Sequence, residues 1–440
     1  MESITAGKDH SRARRPIARL VAMALAAAMA VALVPAAAVA STSGPAVYVP
    51  VAPVRLLDTR VGNGLSAKLS ANVPATFQVT GRGGIPADAT AVTGNLTVTD
   101  STAGWAVYLG PDPIAYPSSS TINFTKGETL ANGLTVALGA TGTLSATYMG
   151  PAGATTDLVF DVSGYYTPDW QVEPGCVTGT GATCSAYFPL TPQRIVDTRT
   201  GLGVVGGHPA KLGANQPITF TFTGFYQLTA VTGNLTVVNS TSPWALYLGP
   251  DPIAHPSSST INFSAGETIA NDVTVAVNST DAFSITYMGP AGATTDLVFD
   301  LTGFYADDPG AAGANLYVPL APARLLDTRV GNGLPGKLSA NVPATFPVTG
   351  RGGVPGDVTA VTGNVTVVNS TSSWAVYLGP DPVPSPLSSN VNFSAGQIRC
   401  NGLSVALSAA GTLSATYMSI TGNTTDLVFD VTGFFIYENA

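Results

Sequence analysis

The chain has 440 residues, of which 45% are hydrophobic and only 10% charged, with 48 Gly, 33 Pro and 3 Cys. That is longer than one ordinary domain, and low charge with abundant Gly, Pro, Thr, Val and Ser points to short strands and tight turns, excluding a helical bundle. So apolar a chain also buries enough surface to offset its ordering entropy, which excludes disorder.

Residues 1–40 stand apart from the rest. Arg12, Arg14, Arg15 and Arg19 precede an Ala-rich apolar run that closes on Ala38-Val39-Ala40, the pattern of a secretory signal peptide. Arg14-Arg15 raises the twin-arginine route, but Pro16 and Ala18 fit it poorly, so general secretion is the expectation. The competing reading is an uncleaved anchor, since the run is long enough to span a bilayer. No second run of that length follows, and no membrane association is expected after cleavage. Without residues 1–40 the chain carries 13 Lys and Arg against 24 Asp and Glu. Nucleic acid is then a poor partner, because binding it needs cations that displace the counterions of phosphate.

Internal repetition dominates the remainder. Residues 48–166, 187–305 and 317–435 are of equal length and align almost throughout. Each copy opens on Arg-[Leu/Ile]-[Leu/Val]-Asp-Thr-Arg, at 55–60, 194–199 and 324–329. Each continues through Ala-Val-Thr-Gly-Asn-[Leu/Val]-Thr-Val, from Ala91, Ala230 and Ala360, and Trp-Ala-[Val/Leu]-Tyr-Leu-Gly-Pro-Asp-Pro, from Trp105, Trp244 and Trp374. Each closes on Thr-Thr-Asp-Leu-Val-Phe-Asp-[Val/Leu]-x-Gly-[Tyr/Phe]-[Tyr/Phe], from Thr155, Thr294 and Thr424. The middle copy differs in length only around 206–209 and opposite the Gly-Arg-Gly-Gly segments at 81–84 and 350–353, which marks those segments as loops. Linkers at 167–186 and 306–316 divide the chain into modules 41–166, 187–305 and 317–440. Each module is long enough to bury its own core and is expected to be an independent domain.

Within the first copy, runs at 55–59, 76–80, 91–99, 105–109, 121–124, 134–138, 144–148 and 157–162 read as strands separated by Gly, Pro and Asn turns. In the last run Leu158, Phe160 and Val162 alternate with Asp157, Val159 and Asp161, the period of a half-buried strand. The expected fold is all-β: three tandem antiparallel β-sandwich modules, jelly-roll-like, after the signal peptide.

The Arg-Leu-Leu-Asp-Thr-Arg opening, the Asn-[Leu/Val]-Thr-Val strand, the [Ile/Val]-Asn-Phe-x-x-Gly-x-x-x-x-Asn segment and the Asp-Val-x-Gly-[Tyr/Phe]-[Tyr/Phe] ending resemble a β-rich module of secreted actinobacterial proteins. That module occurs alone, in tandem, or appended to peptidases and cell-wall hydrolases. The resemblance covers all three copies and implies a secreted accessory or adhesive role, without a reaction.

Catalysis needs a base, and His10, His208 and His255 are the only histidines. The first lies in the signal peptide and the others occur only in the middle copy, so a Ser-His-Asp or Cys-His site has no counterpart in two copies of three. The protein is read as non-enzymatic, without cofactor. Recurring carboxylates give no better case: Asp157 and Asp161 lie about 13 Å apart along one strand, beyond the about 5–10 Å of a glycosidase pair. No Asp-x-Asp-x-Asp-Gly pattern appears, and no metal is assigned. The preferred reading is an ion network tying the first strand to the last, built from Arg55, Asp58, Arg60 and Asp161, from Arg194, Asp197, Arg199 and Asp300, and from Arg324, Asp327, Arg329 and Asp430. Contact with a metal or a ligand is the alternative for the same residues.

Trp105 and Tyr108 fall on opposite strand faces, so one is buried while the other reaches the surface near the Pro-rich loop 110–117. An exposed aromatic beside polar side chains stacks on sugar rings. The candidate ligand residues are therefore Trp105, Tyr108 and Asp112, with Trp244, Tyr247 and Asp251, and Trp374, Tyr377 and Asp381. Strand aromatics usually fill the core, so the tryptophans are expected inside. Cys176 and Cys184 sit close together in the first linker and are expected to form a disulfide, while Cys400, where the other copies have Ala131 and Ala270, is expected to be a buried free thiol. The resulting expectation is a secreted, extracellular or cell-wall-associated protein whose partner is a glycan or wall polymer, bound weakly at several sites. The alternative is a structural spacer or matrix protein, or a compact pseudo-three-fold assembly, with no ligand.

Overall fold

The computed structural model describes residues 44–172, 176–179, 181–204, 207–225 and 227–437. The signal-peptide reading of residues 1–40 lies outside the described residues. All named elements are β-strands, and no helix among the described residues is long and apolar enough to cross a membrane. In the first copy Val47–Asp58, Thr155–Thr167, Ala91–Thr99 and Leu130–Ala137 lie side by side in one antiparallel sheet. A second antiparallel sheet orders Ala75–Gln78, Thr143–Tyr148, Trp105–Gly110 and Ile122–Phe124. The other two copies repeat this order. Leu96, Val98 and Phe160 of the first sheet pack with Val107, Leu109 and Leu144 of the second in one apolar core.

Two features depart from the pattern read in the sequence. The first strand begins at Val47, eight residues before the hexapeptide, although it contains Pro50 and Pro53. Proline cannot donate to a ladder, and a register shift between Pro50 and Val54 accommodates it. The last strand is buried on both faces: Asp157, Val159 and Asp161 are as covered as Leu158 and Phe160. Its polar face is sealed by charged partners, Lys68 on Asp157 and Arg55 on Asp161. Alternation therefore distinguishes apolar from polar neighbours here, not core from solvent.

The first linker is structured. Trp170–Val172 pairs with Cys176–Thr178 in a hairpin, and Cys176 and Cys184 are disulfide-bonded with their Cα atoms 5.0 Å apart. The backbone N–H of Cys176 donates to Asp307 Oδ1 (2.6 Å), which ties this linker to the start of the second.

Where the copies meet, their contacts close into a ring. Ala46 and Tyr317 exchange two backbone hydrogen bonds of 2.9 Å, and Tyr48 and Ser185 exchange two of 2.8 and 2.7 Å. The third junction uses Asn315, whose Nδ2 donates to the carbonyl of Tyr187 (3.2 Å). Inside this ring Tyr48, Tyr166, Tyr317, Phe435, Tyr187 and Tyr305 each touch the next, with centroid separations from 4.1 to 5.2 Å. All six are nearly inaccessible. The closing motif explains itself here. A Cβ on Gly164, Gly303 or Gly433 would lie 2.1, 2.3 or 2.1 Å from the hydroxyl of Tyr48, Tyr187 or Tyr317, so only glycine lets these rings lie flat against the last strand.

Candidate functional site

The hexapeptide folds back on itself because its Asp accepts from the Arg two residues later. Arg60 Nε and Nη2 donate to the two oxygens of Asp58 at 2.9 and 2.7 Å. The same fork joins Arg199 to Asp197 and Arg329 to Asp327. Arg55 spans to the last strand, with Nε and Nη2 on Asp161 at 2.8 and 3.0 Å, and Arg194–Asp300 and Arg324–Asp430 repeat the pair. The carboxylates are buried, while the outer arginines Arg60, Arg199 and Arg329 keep 44%, 41% and 43% of their side chains exposed. Hydrogen bonds from Arg60 hold the Asp58 carboxyl below its usual range against the opposing effect of burial. At Asp430 burial prevails over Arg324 and pushes the carboxyl up. Among the described residues no three His, Cys, Asp or Glu side chains are grouped to hold a metal ion.

The tryptophans are not in the core. Trp105, Trp244 and Trp374 are 63%, 62% and 64% exposed, while Tyr108, Tyr247 and Tyr377 three residues on are buried. The expectation that Trp packs inside is corrected for a physical reason. Both faces of Ala106–Gly110 are covered, so only the first residue of the strand can leave the layer. It does so on an unusual backbone, with φ of 151°, 150° and 141° in the three copies, a region that L-residues avoid. The rest of the candidate ligand set is divided from it. Asp112, Asp251 and Asp381 are exposed, act electrostatically on Tyr108, Tyr247 and Tyr377, and line neither the Trp105 nor the Trp374 cleft. Burial, helped by Asp112, pushes the Tyr108 hydroxyl up to about 12. Gly110 makes room for that phenol, since a Cβ there would lie 2.0 Å from its oxygen.

What joins Trp is the neighbouring copy. Trp374 lines a cleft of about 630 Å³ together with Arg194 and Arg199 of the second copy. Trp105 lines one of about 670 Å³ together with Arg324 and Arg329 of the third. At the remaining junction Arg55 Nη2 donates to the carbonyl of Ser257 (3.3 Å). The two sets of residues singled out separately in the sequence, the arginines and the tryptophans, thus share walls across copy boundaries.

Sequence reasoning missed the asparagines. The backbone N–H groups of Gly133, Asp272 and Gly402 donate to Asn271, Asn401 and Asn132 Oδ1 at 2.7, 2.8 and 2.8 Å, a cycle through all three copies. Each of these side chains also reaches the Ala-Val-Thr-Gly-Asn asparagine of a different copy: Asn132 to Asn364, Asn271 to Asn95, Asn401 to Asn234. The signal was present, because both asparagines belong to the repeated motifs, but nothing local says that their partners lie in another copy. One further junction has no three-fold equivalent. Arg399 donates to Glu128 (2.8 Å) and Glu267 (3.2 Å), joining all three copies through one buried guanidinium. Cys400 is buried beside it, burial pushing its thiol up to about 11, and it accepts from the N–H of Asn123 in the first copy.

No protein-family model matches this chain, and neither does any curated protein.

Proposed function

We propose that this is a secreted, non-enzymatic protein that acts on or outside the cell surface by weak, multivalent attachment to a glycan or wall polymer, through three jelly-roll-like β-sandwich modules. One observation carries the reading: a tryptophan more than 60% exposed stands at the same place in every copy, on a backbone conformation that costs energy. A position held at about 1–3 kcal/mol of strain is retained where the exposed group has a use, and a wet indole beside hydroxyl and amide groups is a platform for a sugar ring. Three such platforms on one body turn feeble single-site affinity into useful avidity. The histidines of the middle copy, His208 and His255, are exposed and have no equivalents in the other copies, so no histidine is shared by the three tryptophan sites.

A structural role without ligand is the second reading, favoured by the closed aromatic ring, which makes the three copies one compact body. The test is a pull-down of purified cell walls and a glycan array with the secreted chain and with its Trp105→Ala, Trp244→Ala, Trp374→Ala triple variant. Retention by the first and loss by the second is expected. A folded wild type that binds nothing in either format leaves the structural reading in its place.

A further inference from the structure

The clefts hold a charge pattern that the protein as a whole does not. The chain carries 18 Lys and Arg against 26 Asp and Glu, yet the cleft of Trp105 is lined by Lys126, Arg324 and Arg329 and by no carboxylate. Asp327 and Asp430, the partners of those arginines, are each only 3% exposed and lie behind them. Arg329 spends Nε and Nη2 on Asp327, and among the described residues its Nη1 makes no hydrogen bond. Lys126 is exposed and makes no ion pair among the described residues. The cleft of Trp374 has the same design, with Arg194 and Arg199, and its one acid, Glu267, is engaged by Arg399.

We propose that each of these clefts is a composite subsite for an anionic saccharide, with the sugar ring on the tryptophan of one copy and its carboxylate or phosphate on the outward guanidinium nitrogens of a neighbouring copy. The reading rests on the glycan-binding function above and adds to it the charge of the ligand and the shared ownership of the site. The Nη1 group left free on Arg329 and on Arg199 donates to a carboxylate or phosphate oxygen, and a face of indole matches the apolar face of a pyranose. The guanidinium and the indole come from different copies, and in the Trp105 cleft Lys126, of the tryptophan's own copy, adds a further cation. The two clefts are also unequal: the places of Lys126 are taken by Ala265 and Ala395 in the other copies, so the Trp105 cleft should hold acid more tightly.

The experiment uses the full secreted chain and an array of matched pairs, each acidic oligosaccharide beside its carboxyl-reduced neutral form, with phosphorylated saccharides and inorganic phosphate alongside. Binding of acidic members and loss on reduction is expected, and the phosphorylated members decide which anion is preferred. Calorimetric titration with the best acidic oligosaccharide then reads affinity and stoichiometry. Lys126→Ala, which installs the residue of the other copies and carries little folding risk, should weaken the tighter site roughly five-fold, the scale of one exposed charge contact. Trp105→Ala and Arg329→Gln should each delete the same single site, their combination deleting no more, whereas Trp105→Ala with Trp374→Ala should delete two. Thermal unfolding without ligand verifies that the Arg329→Gln chain is folded. Equal binding of reduced and acidic members, or additive loss of two sites in the Trp105 and Arg329 pair, overturns the composite anionic site while glycan binding itself stands. An array and wall preparation that bind nothing overturn both.

Discussion

The hydroxyls of Tyr166 and Tyr305 share a hydrogen bond of 2.7 Å across 139 residues of chain, joining the end of the first copy to the end of the second. The bond is buried in the middle of the aromatic ring, where burial also pushes the Tyr166 hydroxyl up to about 12. Both residues close the repeated final motif, so the motif that ends each module also joins the modules.

The ring makes a prediction about the isolated third copy. Residues 315–437 alone would expose Tyr317 and Phe435, which meet Tyr166 and Tyr187 in the whole chain. A fragment with that face uncovered is expected to associate, through the contacts it normally makes with its neighbours, and to lose most of its cooperative unfolding when diluted. Sedimentation and thermal unfolding across concentrations test this, and a stable monomer would show that each module's own core suffices. In the full chain, Phe435→Ala should cost about 3–5 kcal/mol.

Asp327→Ala measures the ion network. The carboxylate is buried, but Arg329 and Arg324 keep 43% and 30% of their side chains exposed, so water compensates part of the loss. The expected cost is about 2 kcal/mol, between the values for exposed and buried pairs. Burial opposes ionisation of Asp327, and the hydrogen bonds and charge of Arg329 outweigh it, holding the carboxyl below its usual range. A depressed carboxyl contributes stability above its unfolded pKa and loses it as pH falls through the folded value. The gap between wild type and variant should therefore narrow under acid, which denaturant titrations at pH 7 and pH 3 would reveal.

Asp272 acts in the opposite sense. It stands where the other copies have Gly133 and Gly402, and burial pushes its carboxyl up to about 8. Between its unfolded value and about 8 the folded chain holds a proton that the unfolded chain releases, so this group lowers stability progressively as pH rises through that window. Asp272→Asn should leave stability at pH 4 nearly unchanged and raise it at pH 8. Identical pH profiles for wild type and variant would refute the assignment.

Arg399→Leu tests the asymmetric three-copy clamp. The substitution installs an apolar residue like Leu130 of the first copy but leaves Glu128 and Glu267 facing each other without the cation. Because the two acids are partly exposed and the guanidinium keeps a buried Nε with no partner, the loss should be about 2 kcal/mol rather than the full cost of breaking a buried pair. Adding Glu128→Gln and Glu267→Gln should restore most of it, as denaturant midpoints of the single and triple variants would show.

The amino-acid sequence by itself determined the repeat, its phase and the all-β class, because turn residues and strand composition act over a few neighbours. It also displayed the residues of both site elements, since the hexapeptide arginines and the tryptophans recur with every copy. Only the tertiary structure decided which face of each strand meets another copy. Asp161, Asn132 and Tyr166 look the same in sequence whether their partner is solvent, the same copy or the next one, because alternation records polarity and not the identity of the neighbour. The exposure of Trp105 was hidden for a related reason. Ala106–Gly110 is covered on both faces, so no periodicity marks its first residue as the one that leaves the layer. The pairing of that tryptophan with Arg324 and Arg329 depends on packing between surfaces more than two hundred residues apart, and that is a property of the closed ring rather than of any one module.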